Sequence, residues 1–230
     1  MEPAARAPIQ TCADSREDLD TGGYIHRARH PPICRPNVAP PSDYPIVLFA
    51  DRAAFREWLS AQHALKPGLW LQIAKAASPL QSVTYAEALD LALCFGWIDG
   101  QRLSHDAESF LQKFTPRQKR SPWSKRNRER AERLAAAGEM HSAGLAAVEA
   151  AKADGRWDRA YDSPGTMTVP TDLQAALDAH PKARAFFETL KGANRYAVLY
   201  RIQTAVKPET RARRIAEFVA MLGRKETLHP

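Results

Sequence analysis

Little in this sequence names a chemistry outright. Three cysteines in 230 residues (Cys12, Cys34 and Cys94) are too few and too scattered for a disulfide scaffold and fit a reducing compartment. No apolar run approaches the roughly 18 residues that span a bilayer. Acids interrupt the first stretch, MEPAARAPIQTCADSRED, where an export signal would need an apolar core. The expectation is a cytoplasmic protein with no membrane insertion. HExxH, GxSxG, GxxxxGK[ST] and GxGxxG are all missing, which sets aside zincins, elbow-type serine hydrolases, P-loop enzymes and simple dinucleotide binders. No cofactor is expected.

What is present is a concentrated charge. The run QKFTPRQKRSPWSKRNRERAER, residues 112–133, holds nine Lys or Arg against Glu129 and Glu132. That surplus equals the +7 net charge of the whole chain, so the rest of the protein is neutral. Such a block is either an address for something anionic or a helix face kept soluble by its charge.

Residues 1–43 read as a disordered Pro-rich tail. Seven of the chain's 17 prolines fall there and large apolar residues are few, so ordering entropy would outweigh burial. Cys12, His26, His30 and Cys34 are zinc-ligand types, but no CxxC knuckle accompanies them and no metal is expected.

From Tyr44 the texture changes. Ile46–Phe49 reads as a buried strand, and Asp51 caps a helix to about His63 with Phe55, Trp58 and Leu59 on one face. Leu69–Ala74 reads as a second strand. Thr84 and Glu87 form a capping box ahead of a helix that stops at Gly96. Asp99-Gly100 signals a turn from the helix into a strand, and ESFLQKFT (108–115) a further strand ended by Pro116, which leaves 104–107 as a second turn. Ser121-Pro122 opens a basic helix to about Ala137, and 143–153 another that buries Leu145 and Val148. Helices starting at Thr171, Pro181, Asn194 and Pro208 would form a small bundle, with Tyr196, Leu199 and Ile202 supplying part of its apolar face. The fold class is therefore α+β. A disordered tail (1–43) precedes a mixed α+β domain with the basic helix (44–165), and a C-terminal helical bundle follows (166–230).

Four runs, CFGWIDGQ (94–101), KFTPRQKRSPWSKRNRERAERL (113–134), GLAAVEAAKADGRWDRAY (144–161) and KPETRARRIAEFVAML (207–222), resemble the YdeI/OmpD-associated family, whose members are labelled bacteriocin-protection proteins. The resemblance covers about residues 44–225. It implies a phenotype, protection against bacteriocins and cationic antimicrobial peptides with a link to an outer-membrane porin, and carries no reaction. The matching positions are Trp97, Asp99, Gly100, Phe114, Thr115, Arg117, Trp123, Ser124, Asn127, Gly155, Arg156 and Trp157; Arg201 stands where the family commonly has an aromatic.

Two clusters could carry chemistry. Asp99, with His105 and Asp106 nearby, is the one acid/base group beside a motif; it is either a proton handler facing a cleft or a cap on turn amides. Cys94 sits on an apolar helix face, as an inert buried thiol would. In FTPR…SPWSKRN, the rings of Phe114 and Trp123, the cations Arg117, Lys119, Arg120, Lys125, Arg126 and Arg128, and the polar Ser124 and Asn127 surround a helix N-terminus, where backbone N–H groups favour anions. Trp97, Asp99 and Gln101 would complete a ligand-binding set. These residues predict a non-enzymatic, stress-protective protein that binds an anionic ligand, a small molecule or a nucleic acid, through the basic segment 113–130. Two alternatives stand beside it. One is an enzyme on a phosphorylated or acidic substrate, with Asp99 and His105 as acid and base; the other is a non-specific nucleic-acid binder, since RRM, KH and zinc-finger signatures are missing. Sequestering cationic peptides directly would work against the protein's own positive charge.

Overall fold

The structure is a computed structural model that describes residues 44–229. The tail and its Cys/His quartet lie outside the described residues. The architecture is α+β: a four-stranded mixed sheet with, among the described residues, eight helices.

The sheet has the order β1-β2-β4-β3. β1 (Ile46–Leu48) runs parallel to β2 (Leu69–Ala74), and β4 (Ser109–Pro116) is antiparallel to both β2 and β3 (Trp97–Ser104). Central β2 is apolar on both faces and almost wholly buried. β1 corrects its expectation. As an edge strand it buries Val47 toward the core but leaves Ile46 39% and Leu48 42% exposed, because alternate side chains of a strand point to opposite faces.

α1 (Arg52–Gln62) starts where the Asp51 carboxylate accepts the Ala54 N–H, and buries Phe55 and Leu59 one turn apart. α2 (Tyr85–Cys94) has the expected capping box: Thr84 accepts from the Glu87 N–H and Glu87 accepts from the Thr84 N–H. Its apolar residues go almost all the way round, the mark of a helix enclosed by the core. Cys94 ends it in full burial, which pushes the thiol up to about 11 and makes it inert at neutral pH. Asp99-Gly100 is not a turn. The pair continues β3, with a bulge between Asp99 and Arg102, because the pairing to β4 outweighs a local turn preference. The turn comes at 105–108, where Asp106 accepts the Glu108 and Ser109 N–H groups.

The basic helix α3 (Lys125–Ala136) starts three residues later than Ser121-Pro122 suggested, with Ser124 as its cap. α4 (Ser142–Ala153) follows and buries Val148, while Leu145 is exposed instead of buried. α4 meets the end of α2 backbone to backbone at Gly144, where a Cβ would overlap the Cys94 carbonyl. α5 (Thr171–Asp178), α6 (Pro181–Thr189), α7 (Gly192–Gln203) and α8 (Pro208–Gly223) enclose a second apolar cluster that includes Leu173, Phe187, Leu199, Ile202 and Leu222. The first cluster, around the sheet, holds Phe55, Leu69, Leu91, Trp97, Phe114 and Trp123. Main-chain bonds make a joint between the segment leaving α4 and the start of α3: the Tyr161 N–H donates to the Trp123 carbonyl at 2.9 Å, and the Lys125 N–H to the Tyr161 carbonyl at 2.8 Å. Beside them, Asp162 pairs with Lys125 at 2.7 Å and accepts from the Gln203 amide at 2.5 Å.

Two outcomes are expected. Gly144→Ala destabilises by about 1–3 kcal/mol in urea unfolding, as overpacking against backbone does. Asp162→Asn lowers the urea midpoint at pH 7. The hydrogen bond from Lys125 depresses the Asp162 carboxyl below its ordinary range, so its contribution is present above the unfolded value of about 3.9 and is lost as pH falls through the folded value. The difference from the parent protein therefore shrinks below about pH 4; it is small throughout because Lys125 is about half exposed.

Candidate functional site

Three of the expected ligand residues are structural. Trp97 is buried, donates its indole N–H to the His63 carbonyl at 3.1 Å and meets Trp58 edge-on. Phe114 is buried against Phe55. Trp123 is buried edge-on to Trp157, with Arg117 stacked over its ring at 3.6 Å. Motif aromatics look alike in sequence whether they bind or pack, and here they pack.

Arg117 is the unusual member of the group. Nη1 donates to the Pro122 carbonyl at 3.3 Å, but Nε and Nη2 are buried with no hydrogen-bond partner among the described residues. Burial lowers its pKa to about 10, and the negative charge of Asp99 works in the opposite direction. Arg128 turns away from the α3 N-terminus and reaches the Trp157 carbonyl.

The α3 N-terminus is not an open anion cradle. The Lys125 N–H bonds the Tyr161 carbonyl, the Asn127 N–H the Ser124 hydroxyl, and the Arg128 N–H the Ser124 carbonyl. With these N–H groups taken, an anion here is held chiefly by side chains.

Two concavities flank this joint. The first, of about 270 Å³, is a polar cleft lined by Tyr85, Leu89, Asp99, Ser124, Arg126, Asn127, Arg130, Tyr161, Ser163, Pro164 and Tyr196. Asp99 does not cap turn amides; its Oδ2 accepts the Tyr85 hydroxyl at 2.7 Å. Burial, then the hydrogen bond to Asp99, raises the Tyr85 phenol well above its ordinary value. Burial likewise raises Tyr161 and pushes Tyr196 up to about 12, so all three phenols keep their protons at neutral pH. Arg130 is held by Asp90 at 2.6 Å, which also takes Arg133 at 2.7 Å.

The second is an open groove of about 780 Å³ on the other side of the joint. It gathers Lys119, Arg120, Lys125, Arg156 and Arg159 against Asp154 and Asp158, with Tyr200, Gln203 and Val206 on the far wall. Arg156 is fixed by Asp154 at 2.7 Å and by the Ser121 carbonyl at 3.0 Å. Lys119 and Arg120 are exposed and have no acid within ion-pair distance among the described residues.

Of the sequence candidates, the fold thus brings Asp99, Ser124 and Asn127 into one cleft and Arg120 into the groove. Gln101 is exposed within the β3 bulge and lines neither recess. His105 lies past the far end of β3, roughly 20 Å from Asp99 at about 3.3 Å per residue, and pairs with its neighbour Asp106 at 3.8 Å. The acid/base pair of the enzyme reading does not form. Arg126, an expected anion contact, joins the cleft, and Lys119 and Lys125 join the groove. Tyr85, Tyr161, Tyr196 and Arg159 were missed as site residues, and only the WDRAY run gave any signal, because the cleft depends on pairing across long sequence separations.

Among the described residues no helix is long and apolar enough to cross a membrane, and no group of three potential metal ligands occurs. Residues 166–225 match the family model described as Bacteriocin-protection, YdeI or OmpD-Associated, while residues 47–147 match a separate model described as a domain of unknown function, DUF8412. The bundle run KPETRARRIAEFVAML therefore falls inside the family match, and CFGWIDGQ and KFTPRQKRSPWSKRNRERAERL fall in the second model. No curated protein and no solved structure matches the chain.

The stranded guanidinium gives a stability prediction. Arg117→Met keeps a long apolar stem on Trp123 and removes an under-partnered buried charge, so the urea midpoint stays level or rises. Arg117→Ala lowers it through lost packing. A loss of more than about 2 kcal/mol in the Met variant would show that the charge is fully compensated in the folded state.

Proposed function

With a C-terminal domain of the bacteriocin-protection, YdeI/OmpD-associated family at residues 166–225, we propose that the protein is a non-enzymatic binding protein of the bacteriocin-protection type that holds an anionic small molecule in the basic groove. The carrying observation is the convergence of five cationic side chains from two separate segments, against two acids, in one groove beside the family domain. Lys119, Arg120 and Lys125 come from the basic run; Arg156 and Arg159 come from the WDRAY region, which extends the site beyond segment 113–130. Cations without carboxylate partners favour a ligand with more than one negative group, such as a phosphorylated metabolite. The same positive charge disfavours direct capture of cationic peptides, so protection would be indirect.

Arg117 stacks on Trp123 and Arg128 bonds the Trp157 carbonyl, so replacing them confuses binding with folding. The informative variant is Lys119→Gln/Arg120→Gln/Arg159→Gln. In titration calorimetry with pyrophosphate, the parent protein binds and the triple variant binds at least about tenfold more weakly, the loss expected from removing charge-assisted contacts. Native mass spectrometry of freshly purified protein should show a phosphorylated adduct that the variant lacks. Equal binding by both proteins, or no heat from either, rejects the groove as the anion site.

A further inference from the structure

The polar cleft on the opposite side of the joint has a different chemistry from the groove. Several of its polar groups have hydrogen-bonding capacity that the protein does not use. Asp99 spends Oδ2 on Tyr85, and its Oδ1 accepts nothing among the described residues. The side chains of Arg126 and Asn127 and the Tyr196 hydroxyl likewise make no hydrogen bond there. These groups come from β3, α3 and α7, and Tyr161, Pro164 and Leu89 add ring and apolar surface between them. A volume of about 270 Å³ suits a one-ring molecule.

Charge narrows the ligand. A simple anion would meet Asp99 head-on. A simple cation would face Arg126 and Arg130 in the lining, with Arg117 acting on Asp99 from behind. A neutral, hydroxyl-rich ring avoids both penalties: adjacent hydroxyls can donate to Asp99 and exchange hydrogen bonds with Asn127 and Tyr196, while its C–H face rests on the tyrosine rings. Arg126, cationic and unpaired, then favours an acidic substituent at one end of that ring.

We propose that this cleft is a second binding site, separate from the basic groove, for an acidic sugar: a monosaccharide-sized, hydroxylated ring carrying one carboxylate or phosphate, with Asp99 and Asn127 reading the hydroxyls and Arg126 the acidic group. Tyr85 is a positioning residue whose hydroxyl fixes the Asp99 carboxylate so that Oδ1 faces the ligand. The carboxylate and the phosphate share this chemistry, and the choice of probes separates them.

The test uses saturation-transfer NMR and titration calorimetry on the full chain with D-glucuronate, D-glucose 6-phosphate and D-glucose. At least one acidic probe is expected to bind with Kd below about 1 mM, and D-glucose about tenfold more weakly. Arg126→Gln abolishes that preference and brings acidic and neutral sugars within about twofold, whereas Asp99→Asn weakens all three by about tenfold. Arg126 is exposed and unpaired, so its variant stays informative even if Asp99→Asn disturbs folding. The groove triple variant binds these sugars as the parent does, so failure of the groove reading leaves this result distinct. No saturation transfer from any probe at millimolar concentration overturns the proposal, as does binding that Arg126→Gln leaves unchanged.

Discussion

Everything at the centre of this protein hangs on two backbone hydrogen bonds, Tyr161 N–H to the Trp123 carbonyl and Lys125 N–H to the Tyr161 carbonyl. They clamp the segment leaving α4 against the start of α3. The clamp fixes Trp123 over Trp157, delays α3 until Ser124, and brings α7 of the bundle within reach of the sheet's first cluster through Asp162 and Gln203. The cleft and the groove are the two sides of this one joint.

The clamp also redistributes the basic run. Read linearly, nine cations form one block; folded, they have separate tasks. Arg130 and Arg133 share Asp90, Lys125 takes Asp162, Arg117 stacks on Trp123, Arg128 reaches the Trp157 carbonyl, and Lys113 lies over the Tyr44 ring. Lys119, Arg120 and Arg126 are left exposed and without a carboxylate partner, the first two beside the groove and the third beside the cleft. The charge run is thus partly structural glue and partly free, with the division set by acids such as Asp90 and Asp162 that are distant in sequence.

Local signals were legible and non-local ones were not. The capping box at Thr84 and Glu87, the Asp51 cap, the apolar periodicity of α1, α2 and α8 and the proline starts of α6 and α8 all act within one turn, so sequence alone placed those helices. Asp99-Gly100 misled because a two-residue turn preference competes with a strand pairing that only the partner, β4, reveals. Ser121-Pro122 misled in the same way: the chain stays extended as far as Ser124 because Trp123 and Lys125 bond a segment nearly forty residues on. Within the candidate site, Asp99, Ser124 and Asn127 could be picked out as motif polar residues, but their companions Tyr85, Tyr161 and Tyr196 come from α2, the α4–α5 connection and α7, and nothing in the spacing announces that they meet.

Because the joint is made from main-chain atoms, its side chains are left to alternate. Ser124 and Tyr161 face the cleft, while Lys125 and Ala160 face the groove. A substitution at Tyr161 or Lys125 rewrites the recess its side chain lines and keeps both main-chain bonds, since every residue but proline offers the same N–H and carbonyl. One main-chain seam thus serves two recesses of different chemistry, and the side chains on either side of it can vary separately.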